Sequence, residues 1–294
     1  MSGSGRRPLL ATAVALLLAA GSLALVLHRS GGASTGGPAP GAGVAGSGAR
    51  APAGEPVASE PPAADVAASE HRLDVGGGVR EWTEVAPPQP VPGGALVLGL
   101  PGLSETRQVL RVQSGLDRLV AEGVTVAYVA GFERSWDAGT CCGPAAVRRL
   151  DDLAVLHAVA REVIARRGLD PRRVFLVGHS NGAMMALRAA CEEPSRWAGA
   201  LSVAGAVVVP GCDARGTRLV LWQGERDVIV PVAGRVFPGG GSLPAFAVTV
   251  QSVAAAEVTV LRDPVGTHEW PQPTGALVDR AWGVLRDARA VAGP

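Results

Sequence analysis

Runs of predominantly apolar residues alternate with amphipathic segments over most of the chain. The apolar runs cover residues 95–100, 124–129, 174–177, 200–208 and 217–222, and region 248–261 contains one or two more. Segments 150–164, 183–191 and 275–291 carry apolar residues at helical spacing, and residues 71–85 form two alternating runs around a Gly-rich turn. Strands that are apolar throughout are typical of parallel sheets, because helices cover both faces. The pattern predicts an α/β fold with a mostly parallel sheet and helices on both faces.

The distribution of residue types divides the chain into three segments. Residues 1–29 begin with Arg6 and Arg7 and continue as an uncharged apolar run over 9–27, which is typical of a signal peptide or an N-terminal membrane anchor. Residues 30–70 are mostly Ala, Gly, Pro and Ser without Leu, Ile or aromatic residues, which predicts a disordered linker. Residues 71–294 hold the predicted α/β domain. We expect an extracytoplasmic protein, either secreted or anchored to the membrane if the first segment is not cleaved.

The composition excludes several kinds of chemistry. With 27 basic and 26 acidic residues and a net charge of +1, the chain gives no electrostatic reason to expect nucleic-acid binding. The chain contains no Lys, so phosphate-binding lysines and Schiff bases are excluded. The four Cys and five His lack the usual spacing of a zinc site, and we expect neither a metal nor an organic cofactor. The oligomeric state is left open.

The strongest chemical motif lies directly after the apolar run 174–177. Residues 178–182 read Gly-His-Ser-Asn-Gly, a G-x-S-x-G placed between a predicted strand and a predicted helix. This context predicts a nucleophile elbow, a sharp turn in which Gly178, His179 and Gly182 hold the Ser180 hydroxyl above the end of the sheet. The Asn181 N–H would then point at the oxyanion of a tetrahedral intermediate.

A serine nucleophile needs a base and an acid, which follow it in the order Ser, acid, His in this type of fold. His268 is the only His after Ser180, so it is the predicted base. Asp227 follows the apolar run 217–222 and is the predicted acid, with Glu225 in reserve. The sequence therefore predicts a triad of Ser180, Asp227 and His268.

The loop after the run 95–100 should supply a second oxyanion donor. Pro101 has no N–H, which leaves Gly102 or Leu103, and we expect Leu103. Trp136 and Trp270 are candidates for lining a substrate pocket, with core packing as the equal alternative. Cys141, Cys142, Cys191 and Cys212 indicate two disulfides in an exported domain. Because a bond between adjacent cysteines is rare, we expect 141–191 with 142–212, or 141–212 with 142–191.

Several segments together resemble a known family. Residues 135–143 (SWDAGTCCG) resemble the SWNAGxCCG segment of secreted esterases related to polyhydroxybutyrate depolymerases, feruloyl esterases and acetylxylan esterases. Residues 169–174 are similar to their DPxRV approach, 180–186 to SNGGMMA, 224–231 to HGxxDxxVP and 268–271 to HxWP. The resemblance covers about residues 71–292. It implies an α/β-hydrolase fold, a Ser180-Asp227-His268 triad and family disulfides.

The chain also departs from that family. Its oxyanion loop reads Leu-Pro-Gly at 100–102 where the family has Leu-His-Gly, and Gln223 replaces the family's His. The stretch between Asp227 and His268 is short, which predicts a smaller or more open site. We therefore expect a serine esterase that hydrolyses short-chain, polyester or plant-polymer-linked esters. The alternatives are a catalytically silent hydrolase-like binding module and a serine peptidase.

Overall fold

A computed structural model describes residues 67–75, 78–237, 241–254 and 256–294. Its strands are β1 (Ala68–Val75), β2 (Gly78–Val85), β3 (Leu96–Leu100), β4 (Thr125–Val129), β5 (Val174–His179), β6 (Gly199–Val203), β7 (Arg218–Gly224), β8 (Arg235–Val236), β9 (Ser242–Leu243) and β10 (Glu257–Asp263). Its helices are α1 (Arg107–Ser114), α2 (Pro144–Arg148), α3 (Asp152–Arg167), α4 (Asn181–Glu192), α5 (Phe246–Ser252) and α6 (Ala276–Leu285), with a 3₁₀-helix at Leu116–Glu122.

Eight of these strands form one sheet in the order β1-β2-β4-β3-β5-β6-β7-β10. β2 pairs antiparallel with β1 and with β4, and the pairs from β4 to β10 are all parallel. β8 and β9 form a separate two-stranded hairpin. The carboxyl ends of β3, β5 and β7 therefore meet at one edge of the sheet, where ligand sites of open α/β sheets lie.

The core lies in two layers, one on each face of the sheet. Successive side chains of a strand point to opposite faces, so Leu96 and Leu98 of β3 pack in one layer and Val97 in the other. The first layer contains the buried faces of α3 and α4. The second contains buried residues of α1, the 3₁₀-helix and α6. Burial of both faces explains why the central strands are apolar throughout.

The predicted fold class is confirmed, and the differences are local. The run 200–208 gives a strand only to Val203, because the chain turns at Ala204 with a φ of 52°. Region 248–261 contains the end of α5 followed by β10, and the last helix ends at Leu285 rather than near residue 291. The pattern did not indicate α1, an eight-residue helix whose N-terminus is capped by Thr106.

The N-terminal predictions fall mostly on residues that the structure does not describe. The expected signal or anchor at 1–29 and the expected linker up to residue 66 lie outside the described residues, as does the Gly76-Gly77 turn. β1 begins at Ala68, within the segment expected to be linker. Within the described part of the chain, no helix has both the length and the apolar character needed to cross a membrane.

The predicted disulfide pairings are wrong. Cys191 bonds to Cys212, and Cys141 bonds to its neighbour Cys142 across a cis peptide. Cys191 lies at the end of α4 and Cys212 lies in the loop before β7, with their Cα atoms 4.5 Å apart. That proximity leaves the two adjacent cysteines as partners for each other. Disulfides between adjacent cysteines are rare, and for that reason the sequence did not predict this pairing.

Candidate active site

Ser180 stands at a sharp turn between β5 and α4. Its φ of 52° and ψ of −119° lie in a region that non-glycine residues rarely occupy. The flanking glycines permit the turn, because a Cβ on Gly178 would collide with the carbonyl oxygen of Gly182. A Cβ on Gly182 would in turn collide with the carbonyl oxygens of Leu100 and Pro101. The geometry is that of a nucleophile elbow.

Three side chains from separate loops form a hydrogen-bonded chain at this edge. Nε2 of His268 lies 2.9 Å from the Ser180 hydroxyl oxygen, and Nδ1 of His268 lies 2.8 Å from Oδ2 of Asp227. His268 follows β10, and Asp227 follows β7. The arrangement lets His268 accept the serine proton while Asp227 fixes the imidazole tautomer and stabilises the imidazolium.

Asp227 is held rigidly as an ionised acceptor. Its Oδ1 accepts hydrogen bonds from the N–H groups of Ile229 and Val230, both at 2.8 Å, and its Oδ2 also accepts from Gln223 at 3.1 Å. Burial by itself raises the pKa of Asp227, but the hydrogen bond and charge of His268 and the two backbone N–H groups outweigh burial, so the net pKa is lowered. The reserve candidate Glu225 pairs instead with Arg262, at 2.7 Å.

The loop after β3 lies directly against the nucleophile. A Cβ built on Gly102 would sit 3.2 Å from Cβ of Ser180. The Gly102 N–H is already donated to Glu105 at 2.7 Å, and the Ser104 N–H is donated to the Arg134 carbonyl at 2.8 Å. These bonds leave the Leu103 N–H as the candidate donor from this loop, alongside the N–H of Asn181 at the start of α4.

Trp136 is hydrogen-bonded to this loop. Its indole N–H donates to the Pro101 carbonyl at 2.9 Å, and its own N–H donates to the Asn181 side chain at 2.7 Å. Trp136 is 1% exposed and Trp270 is 3% exposed. Both side chains therefore belong to the packed interior of the site, and contact of either with a substrate stays a prediction.

Two residues at the site were assigned no role from the sequence. Gln223 is the penultimate residue of β7 and donates to the Asp227 carboxylate. Glu105 accepts from the Gly102 N–H and is hydrogen-bonded to the ring of His179. Gln223 could have been found from the sequence, since a polar residue near the end of an apolar strand beside the site is a candidate for positioning the acid. Glu105 could not, because its partner His179 is 74 positions away in the sequence.

Within ranges 67–75, 78–237, 241–254 and 256–294, no cluster of three or more His, Cys, Asp or Glu side chains could hold a metal ion. The polar groups that meet at this edge are the Ser180 hydroxyl, the His268 imidazole, the Asp227 carboxylate and backbone N–H groups.

The sheet order and the flanking helices are those of the α/β-hydrolase fold. The model of the prolyl oligopeptidase family (Peptidase_S9) matches residues 148–232, a range that includes Ser180 and Asp227 but not His268. A protein of Nocardia uniformis subsp. tsuyamanensis named "Putative esterase NocK" is 34% identical over 148 residues, which are 48% of this chain and 42% of that protein. The chain thus matches less than half the length of that relative.

Several solved structures share the fold. A thermostable esterase superposes with a TM-score of 0.57 at 16% identity, covering 76% of this chain and 63% of that one. The 2,6-dihydroxy-pseudo-oxynicotine hydrolase superposes with a TM-score of 0.56 at 19% identity, covering 78% and 71%. Native sOPH gives a TM-score of 0.59 at 17% identity, covering 76% and 88%. At these identities the likeness shows the fold, since one fold hosts many activities.

Proposed function

We propose that this protein is a serine hydrolase that cleaves carboxylic esters through an acyl-enzyme. The single observation that carries the proposal is the continuous hydrogen-bonded chain from Ser180 through His268 to Asp227. A solvated surface histidine would not be held at both ring nitrogens by a strained serine and a buried carboxylate. The similarity to NocK, whose name describes an esterase, supports the same activity.

The geometry supports the following reaction. Ser180 Oγ attacks the ester carbonyl carbon while its proton passes to Nε2 of His268, and the carbonyl oxygen becomes an oxyanion. The N–H groups of Asn181 and Leu103 stabilise that charge. The C–O bond to the alcohol then breaks, and the His268 imidazolium protonates the leaving oxygen. Water attacks the acyl-enzyme with His268 as base, which releases the acid and restores the serine hydroxyl.

The substrate class is proposed at two levels. The coarser proposal is a carboxylic ester with a small or flexible acyl group, consistent with the short stretch between Asp227 and His268. The finer one is an ester of the kind cleaved by polyhydroxybutyrate depolymerases, feruloyl esterases or acetylxylan esterases, supported only by the motif resemblance at 135–143 and 180–186. A panel of short-chain, polyester and feruloyl esters would rank these.

A serine peptidase is the second candidate. The observation that favours it is the match of residues 148–232 to the prolyl oligopeptidase family. The same triad cleaves amides when the pocket holds the peptide and His268 protonates a leaving amine. Parallel assays on p-nitrophenyl esters and on chromogenic peptide anilides discriminate the two activities.

The test uses a fluorophosphonate probe on the full chain, with Ser180→Ala beside it. Ser252→Ala is the matched control, because the Ser252 hydroxyl bonds to the Val248 carbonyl of the same helix. We expect labelling of the wild type and of Ser252→Ala and none of Ser180→Ala. A folded, oxidised wild type that neither labels nor hydrolyses any ester or peptide would overturn the proposal and favour the silent binding module.

We also propose an extracytoplasmic location. Two disulfides in one domain persist best in an oxidising compartment, and the apolar run at 9–27 is suited to export. N-terminal sequencing of the protein recovered from outside the cytoplasm tests this. A mature terminus beyond residue 29 supports cleavage, whereas an intact terminus in the membrane fraction supports an anchor.

A further inference from the structure

A His-Glu pair, with a buried imidazole and a partly exposed carboxylate, lies next to the Ser180-His268-Asp227 triad. His179, the residue before the nucleophile, is 4% exposed. Its Nδ1 lies 2.8 Å from Oε1 of Glu105, and its Nε2 lies 2.8 Å from the backbone carbonyl oxygen of His268. Oε2 of Glu105 accepts the Gly102 N–H at 2.7 Å. The pair therefore joins the loop after β3 to the loop that carries the base.

The hydrogen-bond partners determine where the protons are. A carbonyl oxygen only accepts, so Nε2 of His179 must carry a proton. A second proton must lie between Nδ1 and the Glu105 carboxyl, since two bare acceptors 2.8 Å apart would repel. The pair is thus either an imidazolium with a carboxylate or a neutral imidazole with a carboxylic acid.

The surrounding groups favour the charged form. Burial by itself lowers the pKa of His179, but the hydrogen bond and charge of Glu105, the His268 carbonyl and the charge of Asp227 outweigh burial and raise the net pKa. Burial by itself raises the pKa of Glu105, but His179 and the Gly102 N–H outweigh it and lower the net pKa. The His268 ring, centred 5.2 Å from the His179 ring, is the other titratable group facing it.

We propose that His179 and Glu105 form a charged positioning pair that fixes the candidate oxyanion loop relative to the general base His268. Neither residue touches the reacting atoms. Glu105 sets the Gly102–Leu103 backbone by accepting the Gly102 N–H, and His179 sets the base loop by donating to the His268 carbonyl. The proposal rests on the proposed serine hydrolase activity.

The pair also predicts a loss of activity at high pH. When pH rises through the raised pKa of His179, Nδ1 loses its proton and its lone pair faces the Glu105 carboxylate. The contact becomes repulsive, the two loops lose their fixed relation, and kcat falls. We expect KM to change little, because the pair would act through the position of the two loops and not through contact with substrate.

The variants separate geometry from charge. Glu105→Ala removes the link, and we expect kcat to fall about a hundredfold with little change in KM. Glu105→Gln can accept from Gly102 through its oxygen and donate to a neutral His179 through its amide. We expect it to recover about tenfold of that loss at neutral pH and to lack the alkaline fall of the wild type. Glu162→Gln is the matched control, because Glu162 is exposed and forms an ion pair with Arg166 of the same helix, α3.

Nitrogen NMR of the full chain provides a readout that does not need activity. We expect a His179 imidazolium at neutral pH in the wild type and a neutral His179 ring protonated at Nε2 in Glu105→Gln. A neutral His179 in the wild type would overturn the proposal that the pair is charged. A Glu105→Ala variant with wild-type kcat and pH profile would overturn the proposal that the pair positions the loops. Absence of any hydrolysis together with a His179 imidazolium would instead count against the proposed function alone.

Discussion

Oδ2 of Asp227 lies 2.8 Å from Nδ1 of His268, while Oδ1 of the same carboxylate accepts two backbone N–H groups. One oxygen is therefore held by the backbone, and the other is hydrogen-bonded to the imidazole. Asp227→Asn would keep the anchored oxygen and turn an amide N–H toward His268. The imidazole would then take the tautomer whose Nε2 carries a proton and cannot accept one from Ser180.

We expect Asp227→Asn to lower kcat about 10⁴-fold, because the base is present in the wrong tautomer. The measurement is kcat and KM on a p-nitrophenyl ester, with near-ultraviolet circular dichroism to confirm the fold. Glu225→Gln is the control, since Glu225 pairs with Arg262 outside the triad. A variant Asp227→Asn within tenfold of the wild type would mean that another carboxylate serves His268.

The proximity of Ser180, Asp227 and His268 could be predicted because each of them lies in a local pattern. A strand, a G-x-S-x-G and a helix mark Ser180, and the chain order leaves one histidine after it. Glu105 and the disulfide partners were not predictable in the same way. Their contacts arise where loops meet in space, so His179 with Glu105 and Cys191 with Cys212 have no signal in the local sequence.

The two glycines Gly182 and Gly283 give opposite predictions for the same substitution. Gly182→Ala would place a methyl group against the carbonyl oxygens of Leu100 and Pro101, whereas a Cβ on Gly283 in α6 meets nothing within 4 Å. We expect Gly182→Ala to destabilise the fold by about 4 kcal/mol or more. We expect Gly283→Ala to be neutral or stabilising by up to about 1 kcal/mol.

Urea unfolding of both variants beside the wild type measures the two changes in the free energy of unfolding. Equal stabilities of Gly182→Ala and Gly283→Ala would show that the loop after β3 can move away from α4.

Glu84 predicts a dependence of stability on pH. This buried carboxylate binds Arg166, and Nε of Arg167 lies 2.8 Å from its Oε1. Burial by itself raises the pKa of Glu84, but the two arginines outweigh burial, and the net pKa lies below the ordinary value of 4.5. Because the folded pKa is the lower one, this stabilisation is present above the unfolded pKa and is lost as pH falls through the folded pKa.

We expect Glu84→Gln to lower the free energy of unfolding at neutral pH by about 2 kcal/mol. The difference in the free energy of unfolding between this variant and the wild type should decrease as pH falls below the unfolded pKa of about 4.5. Denaturant titrations between pH 3 and pH 7 measure it, with the exposed Glu257→Gln as control. A difference that stays constant over this range would contradict the linkage.

The Cys191–Cys212 disulfide closes a loop with a sequence separation of 21. Removing it with the double variant Cys191→Ala/Cys212→Ala should lower the free energy of unfolding by about 3 kcal/mol, because the unfolded chain gains freedom. The Cys141–Cys142 disulfide closes no such loop. The double variant Cys141→Ala/Cys142→Ala should therefore lower the free energy of unfolding by less. Urea unfolding of the oxidised proteins compares them, and equal losses would refute this account of the stabilisation.

The central claim is that Ser180 and His268 perform ester hydrolysis. The most direct measurement is kcat/KM of the full chain on a short-chain p-nitrophenyl ester, beside Ser180→Ala and His268→Ala. We expect turnover by the wild type and a loss of about 10⁴-fold or more in each variant. Hydrolysis that survives in a folded Ser180→Ala, or a folded wild type without hydrolysis, would contradict it.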